Sequence, residues 1–288
     1  MARKQNRLLF FYYVAAILII AGCALQQQKK PLACAGKKST EEALSALQLQ
    51  SQNTSPLKAT GQCLLQYYVE GKKHKENFPV KLWVNPPAEI YLQGEVAFNP
   101  RGLVLGSNEQ VFWLAAKPDE ISSYWWGLWS EESYNEKLMI RPKIVLEALG
   151  IVAISEQKGG NENWFFSKEH NFDILTETDS EGEAIKRVYI NNCDYLVRKI
   201  EHCVDGAAMV AAELDKYKEV QNGFFVPASI KITKLAGVNR GDSVRITFDS
   251  IKPALFSDKL RSRLFTRPEP QGFEHIYRVV GGSIVEQR

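Results

Sequence analysis

Val80-Lys81-Leu82-Trp83-Val84-Asn85-Pro86-Pro87-Ala88-Glu89-Ile90-Tyr91-Leu92 is the stretch that decides the fold class. Val80, Leu82 and Val84 alternate with Lys81 and Trp83, and Ile90 and Leu92 resume the beat after the prolines. A period of two sends alternate side chains to opposite faces of an extended strand. Proline cannot donate to a ladder, so Pro86-Pro87 separates two strands rather than lying inside one. The pattern predicts antiparallel strands with one face buried and the other wet.

The same period recurs outward from this stretch. It begins at Leu57 and continues through Leu103 and Leu105 to Val111 and Trp113, with a turn at Asn108-Glu109. In the second half, strands are expected at 163–167, 171–176, 187–191, 196–203, 208–217, 228–235 and 243–249. Asp179-Ser180-Glu181-Gly182 and Asp205-Gly206 supply hairpin turns. Val244, Ile246 and Phe248 point one way, and Arg245, Thr247 and Asp249 the other. Only two helices are expected. Ser39 caps the first, with Glu42 as the other half of a capping box, Ala43, Leu44 and Leu47 on one face, and an end at Asn53–Pro56. The second spans Arg141–Leu149, between Pro142 in its first turn and Gly150 at its stop, and buries Ile144, Val145, Ala148 and Leu149. About ten strands with two helices exclude a parallel α/β fold. One long antiparallel sheet must curl or split to hide its apolar face. The expected fold is therefore mainly β: a strongly curved, half-open antiparallel β-barrel with a few helices closing its concave face.

The amino terminus carries a separate signal. Arg3, Lys4 and Arg7 precede the apolar run Leu8–Ile20, which ends in Ile20-Ala21-Gly22-Cys23. The run suits a secretory h-region and is short for a membrane span. It resembles the lipobox of bacterial lipoproteins. That resemblance implies cleavage before Cys23 and acylation of its sulfur and new amine. Each buried CH₂ of such chains contributes about 0.8 kcal/mol, so two or three chains hold a protein on a bilayer. An uncleaved anchor helix is the alternative. The boundaries that follow are a signal at 1–22, a flexible tether at 23–38, a folded domain at 39–252 and an irregular basic tail at 253–288. Ala24 is not the aspartate that retains lipoproteins at the inner membrane, so by analogy the periplasmic face of the outer membrane is favoured.

Charge and composition narrow the functions. The chain has 36 Lys and Arg against 33 Asp and Glu, and three of the cations lie in the signal. Without it the balance is neutral, which argues against nucleic acid as a partner. Lys29, Lys30, Lys37 and Lys38 place positive charge in the tether, either beside lipid headgroups or simply in solvent. Cys34, Cys63, Cys193 and Cys203 permit disulfides in an oxidising compartment, although Cys193 and Cys203 are one extended strand apart and too distant to bridge each other. No C-x₂-C accompanies His202-Cys203, so no metal site is expected. The four histidines, His74, His170, His202 and His275, lie in no catalytic motif. Neither G-x-S-x-G, H-E-x-x-H nor a P-loop is present. No enzyme activity and no cofactor are expected.

The order of elements carries a second resemblance. A helix precedes a strand containing Thr60-Gly61, then come Pro86-Pro87-Ala88-Glu89-Ile90 and Val111-Phe112-Trp113. Arg187-Val188-Tyr189-Ile190 leads to Tyr195–Ile200. Asp205-Gly206 opens a long strand ending at Asp215–Val220, and Pro227-Ala228-Ser229-Ile230 starts another. This order, over residues 39–252, resembles the LolA/LolB-like superfamily of outer-membrane lipoprotein carriers and receptors. The resemblance implies an unclosed barrel that holds acyl chains or other apolar ligands, and the lipobox makes the chain look like the anchored receptor. The segment at about 114–170 and the tail depart from the receptor pattern. Leu82, Val84, Ile90, Leu92, Val111, Trp113, Ile230, Ile232, Ile246 and Phe248 are the inward stripes that would line such a cavity, or else pack as ordinary core. Tyr124, Trp125, Trp126, Leu128 and Trp129 form an aromatic concentration, read either as a lip for membrane or ligand or as a plug in the core. Tyr124 and Trp126 are expected inward, Trp125 and Trp129 outward. Two functions follow. One is a lipid-anchored protein that binds acyl chains, lipoproteins or another hydrophobic ligand in its cavity. The other is a structural or regulatory lipoprotein with a filled interior that binds a protein partner.

Overall fold

The computed structural model describes residues 34–69, 71–96, 99–117, 122–131, 142–151, 163–237 and 240–287. The chain divides into two units, Met1–Cys34 and Ala35–Arg288, and the strands and helices described all belong to the second. Cys23, the signal and most of the tether lie outside the described residues. Among the described residues no helix is long and apolar enough to cross a membrane.

Helix α1 (Thr40–Gln52) leads into β1 (Leu57–Val69), β2 (Lys72–Asn85), β3 (Glu89–Val96), β4 (Asn99–Ser107), β5 (Val111–Ala116) and β6 (Ser123–Leu128). A 3-10 turn at Trp129–Glu131 and α2 (Pro142–Ala148) follow. The second half contains β7 (Trp164–Glu169), β8 (Phe172–Thr178), β9 (Ala184–Asn191), β10 (Val197–Val204), β11 (Ala207–Gln221), β12 (Phe224–Lys234) and β13 (Ser243–Pro253). The chain then forms α3 (Asp258–Phe265), β14 (His275–Val280) and β15 (Ser283–Gln287).

All fifteen strands join one unclosed, curved sheet in the order β15-β14-β6-β5-β4-β3-β2-β1-β13-β12-β11-β10-β9-β8-β7. Every described pairing is antiparallel except β14 with β6. Register keeps the apolar stripes in line: Leu82 pairs with Leu92, Leu92 with Leu105, and Ile230 with Ile246. These rows form one core on the sheet face that meets α1 and α2. The ladder between β1 and β13 shifts at Thr60/Gly61. A Cβ on Gly61 would lie 2.0 Å from the Thr247 carbonyl oxygen, so only glycine allows the backbones this close there.

The tail corrects the reading of 253–288 as irregular. Ser257 caps α3 through its hydroxyl, which accepts from the Leu260 amide at 3.4 Å. β14 lies parallel to β6, with His275 opposite Ser123 and Val279 opposite Gly127. Leu264, Phe265 and Val279 are buried. The tail is thus part of the sheet and of a layer on its second face.

Candidate functional site: the inner face of the half-barrel

The helices on the inner face are held by local and long-range bonds. The Ser39 hydroxyl accepts from the Glu42 amide at 3.3 Å. The Glu42 carboxylate accepts from the Lys38 amide at 3.1 Å, one residue before the position a capping box uses. The preceding segment is pinned as well. Asp173, fully buried on β8, accepts from the Lys37 amide at 2.6 Å. Gly36 lies across that carboxylate with φ +66, where a Cβ would be 2.4 Å from Asp173 Oδ1. Ala43, Leu44 and Leu47 of α1 enter the core. At its far end, the Gln50 amide nitrogen donates to the Tyr195 carbonyl at 3.0 Å.

α2 has seven residues, too few to be stable alone. Its position comes from packing. Ile144, Val145, Leu146 and Ala148 are buried, with Leu149 and Ile151 just beyond. Gly150, at φ +71, ends the helix. The Leu149 amide donates to Val145, that of Gly150 to Glu147 and that of Ile151 to Leu146, at 3.0–3.1 Å.

Glu147 takes a charge into this interior. β8, β9 and β10 set Glu177, Lys186 and His202 in one cross-strand row on the inner face. The Lys186 ammonium lies 3.1 Å from Glu147 Oε1 and 3.4 Å from Glu177 Oε2. His202 Nε2 approaches Glu147 Oε2 at 3.2 Å without hydrogen-bond alignment, a contact that is ionic only when the imidazole is protonated. Burial opposes ionisation of Glu147, but Lys186, His202 and Lys143 more than offset it and hold the carboxyl well below the usual range. Burial likewise works against the Lys186 ammonium, and Glu147 and Glu177 more than offset it, so its pKa is raised. Desolvating these groups costs several kcal/mol each, which only mutual pairing offsets. Glu147 therefore fixes the short helix at one place over the sheet.

Among the described residues, one small cleft lies between the helices and the sheet. It measures about 50 Å³ and lies beside Leu47, Leu214, Tyr217 and Phe224, with Phe225 at its mouth. That is room for a few waters, against the roughly 300–1,000 Å³ of ligand pockets. The Tyr217 hydroxyl donates to the Val197 carbonyl in a short bond, and burial pushes its pKa up.

No protein-family model and no curated protein matches the chain. Solved structures do. A domain assigned to outer membrane lipoprotein sorting, from Vibrio parahaemolyticus, matches with a TM-score of 0.52 at 12% identity, covering 80% of this chain and 98% of its own. A DUF1329 family protein from Desulfovibrio piger matches with a TM-score of 0.50 at 10% identity, covering 79% and 100%. A LolA superfamily protein from Nitrosomonas europaea gives 0.49 at 10% identity, covering 80% and 99%. The fold is LolA/LolB-like.

In this LolA/LolB-like sheet, Leu82, Val84, Ile90, Leu92, Ile230, Ile232, Ile246 and Phe248 lie together in the inner core against α1 and α2. Val111 and Trp113 do not join them. Register places Leu114 opposite Leu105 and Trp113 opposite Gly106, so Phe112 and Leu114 are the inner residues of β5. Trp113 is fully buried on the outer face, with Val104, Ala115 and Tyr124. A Cβ on Gly106 would lie 2.3 Å from its ring. The aromatic segment is a strand flanked by β5 and β14. Tyr124 is fully buried, and Trp125, Trp126, Leu128 and Trp129 are half-buried. Tyr124 and Trp126 share the outer face with Trp113, while Trp125 and Trp129 pack with Phe112 and Val279 on the other, the reverse of the inward and outward expectation. The segment thus packs against other aromatic and apolar side chains on both of its faces.

The sequence reading missed Glu147, Glu177, Lys186 and His202. A signal was there: the last three occupy inward positions of apolar stripes, in step with Leu175, Val188 and Ile200. Cys63 and Cys203 are free thiols.

Proposed function

We propose that this chain is a membrane-tethered envelope protein that binds without catalysing, and that its packed half-barrel is a scaffold for a protein partner. The observation that carries this reading is the occupied inner face. α1 and α2 fill it, and the Glu147–Lys186 contact holds the shorter helix in place. The tether rests on the lipobox pattern ending at Cys23, which favours the envelope and the periplasmic face of the outer membrane. The absence of recognised catalytic motifs in the sequence supports binding over catalysis.

A second reading keeps the interior for an acyl chain, a lipoprotein or another hydrophobic ligand. The likeness to a domain assigned to lipoprotein sorting favours it. It requires α2 to leave and a buried glutamate to lose its lysine. Native mass spectrometry of the full chain carrying Cys23→Ser, combined with cross-linking of the unaltered protein in its membrane, separates the two. The scaffold reading expects a bare protein mass and one reproducible cross-linked protein. A stoichiometric, non-covalent lipid on the Cys23→Ser chain would overturn it.

A further inference from the structure

We infer that the outer face carries a binding site for a phosphate-bearing anion, in the cleft that the C-terminal segment builds over β3 to β6. The segment from α3 to β14 is tied down at several points. Arg261 Nε donates to both Glu89 carboxylate oxygens at 2.8 and 2.9 Å. The Asn108 side-chain amide donates to the Phe265 carbonyl at 3.0 Å, and the Tyr124 hydroxyl donates to that of Pro268 at 3.0 Å. The Phe273 ring lies 5.4 Å from that of Tyr124. Between this strap and the sheet is a cleft of about 250 Å³.

The charges around the cleft set its chemistry. Arg101 from β4, Lys117 after β5 and Arg263 from α3 line it, against the single acid Glu269. Among the described residues none of these three cations has a carboxylate within ion-pair distance. Other surface cations are paired, Arg198 with Asp194, Lys231 with Glu213 and Arg278 with Glu131, whereas Lys58, Lys81 and Lys252 line a second open cleft that has no guanidinium. On α3 itself Arg261 is neutralised by Glu89, while Arg263, two residues on, faces the cleft. The cations converge. Burial pushes the Tyr91 phenol up, and both Arg101 and Arg263 lie near enough to pull against it.

This arrangement selects for chemistry. Two guanidinium forks, an ammonium and a phenol offer more donors than one carboxylate has oxygens to accept. A phosphate monoester carries about −1.5 to −2 charge and three terminal oxygens. Tyr91 and Phe273 give its body an apolar surface. The volume is just under the roughly 300 Å³ at which ligand pockets begin. It suits a phosphate with a small organic body, whether free or at the head of a lipid, and excludes a whole lipid.

The test uses the full chain with Cys23→Ser and two probes. One is glycerol 3-phosphate, followed by calorimetry. The other is vesicles of phosphatidic acid in phosphatidylcholine, with pure phosphatidylcholine as the blank, followed by co-sedimentation. The inference expects at least one probe to bind, and which one binds identifies the source of the phosphate. Arg101→Gln with Arg263→Gln should weaken that binding at least about tenfold, and Lys117→Glu should do so from a different element. Lys231→Gln, at a paired surface lysine, should leave binding unchanged. All variants should melt as the parent does. If the double variant melts lower, Lys117→Glu decides. Absence of binding by both probes, equal binding by the Lys117→Glu chain, or an equal loss in Lys231→Gln would overturn the inference.

Discussion

On the inner face, Glu147, Glu177 and Lys186 are buried and answer one another's charge, with His202 beside them. On the outer face, Arg101, Lys117 and Arg263 are solvated and have no carboxylate to answer theirs. Each set combines residues from the strands or their ends with one from a short helix, Glu147 on α2 and Arg263 on α3. The difference lies in closure. Paired charge under a helix locks that helix in place, because releasing it would leave an ion unpaired in a medium of low polarity. Charge with no carboxylate beside it in an open cleft is free to meet an anion from outside.

Removing the strap breaks the comparison most severely. A chain ending at Pro253 loses the buried Leu264, Phe265 and Val279 and uncovers Trp113 and Tyr124. At about 1.5–3 kcal/mol per large apolar side chain the loss rivals the whole stability of a domain. We expect no cooperative urea transition. A transition like that of the full chain would mean that the outer layer is an appendage.

Lys186→Met comes next, with an expected loss of about 3–5 kcal/mol from two carboxylates left without their cation. Replacing Glu147, Glu177 and Lys186 together by leucine should recover most of that, read from the same denaturation midpoints. The pH profile sharpens the point. Glu147 has its pKa lowered from 4.5 on folding, so its contribution is present above that value and is lost as pH falls below it. Lys186 has its pKa raised from 10.5, so its contribution is present below that value and is lost as pH rises through the folded pKa. The contribution of this pair should be flat between these limits and fall outside them, and Glu147→Gln should flatten the acid limb.

The smallest effect belongs to the outer layer. Gly106→Ala sets a methyl group 2.3 Å from the Trp113 ring, and crowding of this kind costs about 1–3 kcal/mol. Unchanged thermal melting would show that this layer is loosely packed, unlike the inner core.

What the sequence revealed follows the same division. The stripes at Leu82–Leu92, Ile230–Ile232 and Ile246–Phe248 read true because each strand there has one buried face, so parity is visible. β5 has both faces covered. Phe112 and Trp113 are consecutive and both buried, and only the register to β4 says which of them looks inward. The tail is invisible for another reason. β14 pairs with β6, roughly 150 residues earlier, in parallel, a partnership that carries no local turn signal. The ion cluster was hidden because three of its members come from three strands and the fourth from a helix, and a search for apolar periodicity passes over them. The cleft on the outer face was beyond reach in the sequence, since its cations come from β4, the end of β5 and α3.

The central claim is that α2 is a fixed part of the core and not a door. Hydrogen exchange at the amides of Leu149, Gly150 and Ile151, with and without oleate, tests it most directly. The account predicts protection matching the amides of β12, unchanged by the fatty acid. Exchange near the free-chain rate, or protection that shifts when oleate is added, would contradict it.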